Sequence, residues 1–296
     1  MSSATQLPPT LGGQAVVEGV MIRGPRGAAV CVRNPEGEII CETHPVAGPS
    51  RLSRFPIVRG IFALGDTMGQ GMRAMIWSAQ VATGQEPEQP SEGSVRATTA
   101  LSLGLVSAFF LLGPAIVSRR FESGVKGRLP GGRRFSGLLE GLARIGMLLG
   151  YLRAIGQVPQ AQRLFQYHGA EHRAIQAYEA GDALEVDELH KYPNAHVRCG
   201  TSFLLTTTVI SSVVYAAVGA QSLGGRILSR IVLMPVIAGL SYEAIRLGSA
   251  ASGGPFSFIF RPNLALQSLT TSDPDEEQME VALAAVKAAL ALHQDA

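Results

Sequence analysis

Two histidines and a glutamate lie within five residues of the stretch FQYHGAEHRAI, in a chain that has only six histidines. His168 and His172 are four residues apart, so on a helix their imidazoles lie on one face and can reach one ion. Glu171 completes the pattern H-x-x-E-H, in which two histidines bind zinc and the glutamate takes a proton from water. The alternative is that these are ordinary polar residues on the surface of an amphipathic helix.

A zinc site needs at least one more protein ligand, and three residues could supply it. His196 and Cys199 stand three apart in HKYPNAHVRCGTS, just before an apolar segment. Glu243 lies in another apolar segment, where an ionisable group is costly unless it has a partner or a function. The alternatives are that His196 is an ordinary loop residue, that Cys199 is a small apolar residue, and that Glu243 pairs with Arg246.

The composition favours a membrane protein. Mean hydropathy is +0.20, and charged residues make up 16% of the chain, against about a quarter in a typical soluble domain. A net charge of +2, without basic runs interleaved with aromatics, gives no reason to expect nucleic acid as a partner. Four apolar segments are long enough to be candidate spans, and they cover residues 97–118, 135–155, 200–225 and 231–247.

Charged residues lie within the second of these segments and in the break between the last two. The second contains Glu140 and Arg144, so we expect it to span only when it packs against other helices. A break that holds Arg226 and Arg230 separates the third segment from the fourth.

The N-terminal region has a different pattern. Glycine and proline over residues 12–27 indicate irregular backbone, and the β-favouring runs 28–33 and 38–43 flank turn residues, which predicts a β-hairpin. Cys31 and Cys41 could pair across this hairpin if it lay outside the cell, whereas a cytosol would keep them reduced.

Helical periodicity covers two further segments. Residues 55–81 and 278–292 are each predicted to form an amphipathic helix. A polar linker over residues 83–94 follows the first of them.

We therefore predict a mainly α fold. It is a polytopic membrane helical bundle of about four spans with a small N-terminal β-hairpin lobe and a C-terminal amphipathic helix. The expected units are the lobe (1–54), an amphipathic helix and linker (55–94), the membrane bundle (95–260, which includes the His/Glu/Cys segment 163–202) and the C-terminal helix (261–296). The N-terminus lacks a signal-peptide pattern, so the soluble segments are expected in the cytosol. This leaves the basic loop 119–134 outside, against the positive-inside tendency.

Several blocks carry a family resemblance. The stretches GGQAVVEGVMIRGP, FQYHGAEHRAI and HVRCGTSFL, with residues 233–247 and 264–285, resemble the YqhQ-like bacterial membrane protein family, also called domain of unknown function 1385. The resemblance runs from residue 12 to about residue 290. It implies a multi-pass protein of the bacterial inner membrane that is metal-dependent, as members of the family have been predicted to be. It implies no reaction, and it does not decide which residues bind the metal.

From the residues and the resemblance we expect an integral membrane metalloprotein that holds a divalent metal, zinc by preference. The expected metal ligands are His168, His172, His196, Cys199 and Glu243. The sequence leaves open whether the chain is an enzyme. If it is, the expected reaction is hydrolysis of membrane peptides or lipid-linked molecules at the cytosolic membrane face, with Glu171 as the catalytic base.

Two other functions stay open at this point. One is a non-enzymatic membrane scaffold or membrane-protein biogenesis factor with a structural metal site. The other is a transporter with Glu243 and Arg246 along its path. The expected partners are membrane lipid and membrane proteins or peptides, with no nucleic acid, and the sequence leaves the oligomeric state open.

Overall fold

The structure is a computed structural model that describes residues 10–46, 54–86, 91–114, 116, 132–218, 223–250 and 261–294. Its strands are β1 (Gly12–Val16), β2 (Gly19–Arg23), β3 (Gly27–Arg33) and β4 (Ile39–Pro45). Its helices are α1 (Val58–Ala82), α2 (Glu92–Ser107), α3 (Gly132–Ile155), α4 (Pro159–Ala180), α5 (Val186–Leu189), α6 (Ser202–Val218), α7 (Leu223–Ala250), α8 (Arg261–Gln267) and α9 (Glu276–Gln294). The described part of the chain is thus mainly helical, with an N-terminal sheet.

The four strands form one antiparallel sheet in the order β1-β2-β3-β4. The expected hairpin over 28–33 and 38–43 is confirmed, because β3 pairs with β4 along its length. The prediction of irregular backbone over 12–27 is wrong, because β1 and β2 pair there. The lobe is therefore a four-stranded sheet rather than a lone hairpin.

Burial on both faces of the sheet explains why β2 does not show the pattern of a half-buried strand, and β1 begins with two glycines, which are depleted in strands. Val20 and Ile22 belong to the core formed with α4 and α9, while the intervening Met21 packs with Trp77 of α1. Successive side chains on a strand point to opposite faces, so a strand covered on both sides has apolar residues throughout. Such a strand lacks the alternation of polar and apolar residues that a half-buried strand shows.

The two helices on one face of the sheet begin and end at recognisable signals. α9 starts with a capping box, in which Gln278 N donates to Asp275 Oδ1 at 2.8 Å and Asp275 N donates to Gln278 Oε1 at 3.0 Å. α4 has Pro159 in its first turn and is capped after Ala180 by Gly181, whose φ of 77° lies in the left-handed region that favours glycine. The predicted C-terminal helix 278–292 is confirmed, as is the amphipathic helix 55–81, which the structure places in α1.

The apolar helices match the expected membrane spans in part. Within the described residues, the helical stretches Glu92–Phe110 and Ile227–Gly248 are long and apolar enough to cross a membrane, and α6 is apolar but shorter. The break expected at Arg226 and Arg230 is wrong, because α7 begins at Leu223 and contains both arginines. Parts of the expected spans 97–118 and 200–225 lie outside the described residues. Two of the four expected spans thus have both the length and the composition.

Close contacts join α1 to α7. A Cβ atom on Gly60 would overlap Tyr242, and one on Gly239 would overlap Ile57. Small residues at such an interface let two helix backbones approach closely. The sheet, which packs on α1, is thereby fixed to the apolar helices.

A disulfide joins Cys31 and Cys41. The two residues are directly opposed partners in the register of β3 and β4, with a Cα–Cα distance of 4.1 Å. The pairing that the sequence allowed for a lobe outside the cytosol is therefore the one in the structure.

Candidate metal centre

The chemistry-bearing residues of α4 lie on its buried face. His172 is 1% exposed and Glu171 is 4% exposed. This face packs against β1 and against two segments that connect helices, residues 190–201 and 268–275. The helix expected around HGAEH is therefore present, and it faces the protein interior rather than solvent.

Three ligand atoms come together at this face. His168, His172 and Cys199 each offer one ligand atom, and these atoms lie within 4.8 Å of one another. The Cys199 Sγ is 3.3 Å from His168 Nε2. Tetrahedral zinc places its nitrogen and sulfur ligands roughly 3.3 to 3.8 Å apart, so the group fits zinc after a small inward movement.

Backbone carbonyls fix the tautomer of both histidines. His168 Nδ1 is 2.8 Å from the carbonyl oxygen of Thr270, and His172 Nδ1 is 2.5 Å from that of Asn194. A carbonyl oxygen can only accept, so each Nδ1 carries the proton and each Nε2 keeps its lone pair. Metal-bound histidines are held in this way. The His172 Nε2 is buried and has no hydrogen-bond partner in the described part of the chain.

Burial also sets the protonation of the three ligands. It lowers the pKa of His168 and, with the neighbouring His168 and His196 adding to the effect, lowers the pKa of His172 to about 3. Burial raises the pKa of the Cys199 thiol to about 11. The imidazoles are therefore neutral near pH 7, as metal binding requires, and the thiol needs a nearby cation before it ionises.

Glu171 faces the same point in space. Its Oε2 is 3.6 Å from His172 Nε2 and 3.9 Å from His168 Nε2, and burial raises the pKa of its carboxyl group to about 8. The carboxyl group is placed either to complete a metal shell or to accept a proton beside it. A Cβ atom on Gly13 of β1 would overlap this side chain, so the sheet holds Glu171 in place.

His196 lies next to the group without joining it. Its ring centroid is 5.6 Å from that of His172, and its Nε2 is 3.4 Å from Glu179 Oε2. The buried Gln267 accepts from His196 N and donates to His196 O, both at 2.8 Å. This double hydrogen bond fixes the segment that carries Cys199.

The remaining expected ligand, Glu243, has a different partner. Arg59 Nε donates to Glu243 Oε1 at 2.6 Å, and Arg246 Nη1 is 4.0 Å from Glu243 Oε2. The described residues that could hold a metal together do not include Glu243. The structure brings together three of the five expected ligands with the expected base, and it ties Glu243 to α1.

Some residues of the site were not found by sequence reasoning. Thr270 and Asn194 act through backbone carbonyls, which leave no signal in the side-chain pattern. Gly169 lets Ser272 approach α4, because a Cβ atom there would overlap the Ser272 carbonyl oxygen. The glycines of HGAEH and GGQAV were the available signal, because glycine allows close approach of backbone or side chains.

Comparison with known proteins identifies relatives without a described activity. The family model described as a protein of unknown function, DUF1385, matches residues 55–292. The chain is 30% identical over 293 residues to the uncharacterized protein YqhQ of Bacillus subtilis (strain 168), covering 95% of this chain and 92% of that protein. No solved structure matches the chain.

Proposed function

We propose that this chain, which belongs to the DUF1385 family, is an integral membrane protein that binds a divalent metal, zinc by preference, through His168, His172 and Cys199. One observation carries the proposal. Both histidines are held by backbone carbonyls at Nδ1, and this leaves their Nε2 lone pairs beside the buried Cys199 Sγ. A ring nitrogen that is buried and unpartnered costs free energy unless something binds it.

The packing of the lobe supports four membrane crossings. The sheet, α4 and α9 share one core, so all three lie on the same side of a membrane. The chain leaves this core through α2 and returns through α3 before α4, then leaves again through α6 and returns through α7 before α9. Because the chain returns to the same core, it has to cross the membrane an even number of times between leaving the core and returning to it. If α2 and α7 cross, α3 and α6 cross as well.

The disulfide indicates on which side of the membrane the core lies. Disulfides persist in oxidising compartments and are rare in a cytosol. With the core outside the cytosol, the basic loop 119–134 lies inside, as the positive-inside tendency expects. We therefore place the core and the metal centre on the outer face of the membrane, opposite to the placement expected from the sequence.

The geometry favours a hydrolytic role for the site. Zinc, when bound, would polarise a carbonyl or phosphoryl group and make water more acidic. Glu171 faces the ligand atoms and is positioned to accept a proton from water, while the burial of Glu171 and His172, which are 4% and 1% exposed, excludes bulk solvent. Membrane peptides and lipid-linked molecules are the proposed substrate classes, because Cys199 lies three residues before the apolar helix α6.

The burial of Glu171 also favours a second candidate. If its carboxylate becomes the fourth ligand, the shell is closed by protein and the metal is structural. The chain would then be a membrane scaffold or biogenesis factor whose metal fixes the segment around Cys199 onto α4.

Elemental analysis of the protein purified without chelators tests the proposal. We expect about one zinc per chain, lost in His172→Ala and retained in His190→Ala, which changes an exposed histidine of the same region. Absence of metal from the wild-type protein would reject the proposal. Glu171→Gln separates the two roles: metal retained while the cellular function of the protein is lost supports a base, and metal lost supports a fourth ligand.

A further inference from the structure

A second cluster of charged residues lies between α3, α6 and α7. Glu140 Oε1 accepts from Arg144 Nη2 at 2.9 Å and also from Arg230 Nη2. Both arginine side chains are 4% exposed. Tyr215 of α6 contacts both arginines, and Ser202, at the start of α6, follows Cys199 of the candidate metal centre by three residues. The thirteen residues from Ser202 to Tyr215 span about 20 Å of helix, so the cluster lies far from the candidate metal centre.

Aromatic and hydroxyl groups hold the two guanidinium groups in place. Arg144 and Arg230 both lie over the ring of Tyr215, at 5.2 and 5.5 Å from its centroid. Arg144 Nη1 also donates to Ser212 Oγ at 3.2 Å. These contacts orient the guanidinium groups, and cation–π contact is favourable when the cation is desolvated.

The cluster keeps donors that nothing in the described part of the chain accepts. Arg144 Nε and Arg230 Nη1 are buried without a hydrogen-bond partner there. An unsatisfied N–H of a charged group is expensive in an apolar bundle. Glu140 supplies one carboxylate to these two guanidinium groups, and every guanidinium N–H donor carries part of a positive charge.

We propose that Arg144 and Arg230 form a binding site for a phosphate-bearing anion between α3, α6 and α7. A guanidinium group is planar and offers several N–H donors in a fixed arrangement that matches phosphate oxygens. Apolar side chains close to the cluster in sequence, Val213 and Leu228, are 65% and 63% exposed. They provide surface for the acyl chains of a phospholipid whose headgroup phosphate reaches the arginines.

Native mass spectrometry of the delipidated full-length protein in detergent tests this site. Phosphatidylglycerol is titrated in one arm and inorganic phosphate in the other. We expect saturable binding of one phosphatidylglycerol, weakened at least tenfold in the double variant Arg144→Gln/Arg230→Gln. Arg153→Gln, which changes an exposed arginine on the same helix α3, should bind like the wild-type protein.

Two further variants separate a binding role from a structural one. Arg144→Lys keeps the charge and loses the planar donors, so we expect weaker binding with an unchanged circular dichroism spectrum. Glu140→Gln removes the competing carboxylate and should strengthen binding, which a purely structural cluster would not do. Phosphate binding with the same dependence on the arginines would identify the free ion as the ligand.

Two results would overturn the proposal: no saturable binding of either ligand by the wild-type protein, or binding that Glu140→Gln and Arg144→Lys leave unchanged. Neither result depends on zinc, which is measured separately in each preparation.

Discussion

The protonation of single residues decides how a metal would enter the centre. Near pH 7 the histidines are neutral, because burial holds the pKa of His168 below its ordinary value and that of His172 at about 3. Cys199, with a pKa of about 11, is a thiol, and Glu171, with a pKa of about 8, is mostly protonated. Metal binding near pH 7 therefore requires deprotonation of the Cys199 thiol and of the Glu171 carboxyl group.

Zinc binding at pH 7 should release between one and two protons per ion. A dication favours the charged forms of Cys199 and Glu171, and it displaces no proton from an already neutral imidazole. Isothermal titration calorimetry in buffers of different ionisation enthalpy measures the number. A heat that does not depend on the buffer would contradict these protonation states, and Glu171→Gln should reduce the release toward one proton.

Glycine at position 13 is required by the position of Glu171. Gly13→Ala places a methyl group against that side chain, and we expect a loss of about 1 to 3 kcal/mol in the free energy of unfolding. Gly12→Ala is the matched control, because a Cβ atom there meets nothing within 4 Å. Chemical denaturation of both variants makes the comparison, and equal stability would show that β1 does not constrain Glu171.

At the scale of elements, α4 carries two of the three proposed ligands and the segment 190–201 carries the third. Only the pairing of His168 with His172 could be predicted from the sequence, because the spacing of two residues on one helix is a local property. The approach of Cys199 depends on contacts distant in sequence, such as the hydrogen bonds of Gln267 to the backbone of His196. His196 was an expected ligand by residue type, and its ring nitrogen instead lies beside Glu179.

Removal of the Gln267 side chain should loosen the segment that carries Cys199. We expect Gln267→Ala to weaken zinc affinity by about tenfold, which is typical of groups that position metal ligands. Ser268→Ala, an exposed neighbour that bonds only within its own turn, should leave the affinity unchanged. Competition with a chromophoric chelator measures both affinities. Equal affinities would show that Cys199 is held by other contacts.

At the scale of the whole molecule, the apolar segments and the terminal helix could be predicted from the sequence, because their residue patterns are local and extend over many residues. The sheet could be predicted only in part, because β2 is covered on both sides and lacks alternation, and β1 begins with two glycines, which are depleted in strands. One of the two partners of Glu243 could be predicted, because Arg246 lies one turn away on the same helix and is 4.0 Å from the carboxylate. The other, Arg59, makes the shorter contact but lies 184 residues away in the sequence.

Labelling of single introduced cysteines tests the four-span arrangement. The exposed positions Glu36 and Lys287 belong to the core, and Gly224 lies at the start of α7. In a Cys31→Ser/Cys41→Ser background, whose remaining Cys199 is buried, we expect an impermeant maleimide to label cysteines at 36 and 287 on intact cells, above the labelling of the background protein, and at 224 only after permeabilisation. Labelling of 36 and 287 from opposite sides would contradict the shared core. The fully reversed pattern would reject only the outer placement.

The X-ray absorption spectrum of the zinc-loaded protein at the zinc edge identifies the atoms that bind the metal. We expect one sulfur scatterer at about 2.3 Å and two imidazole nitrogens at about 2.0 Å. The sulfur contribution should be absent in Cys199→Ser. A wild-type spectrum with only oxygen scatterers, or one that is unchanged in Cys199→Ser, would contradict a centre built from His168, His172 and Cys199.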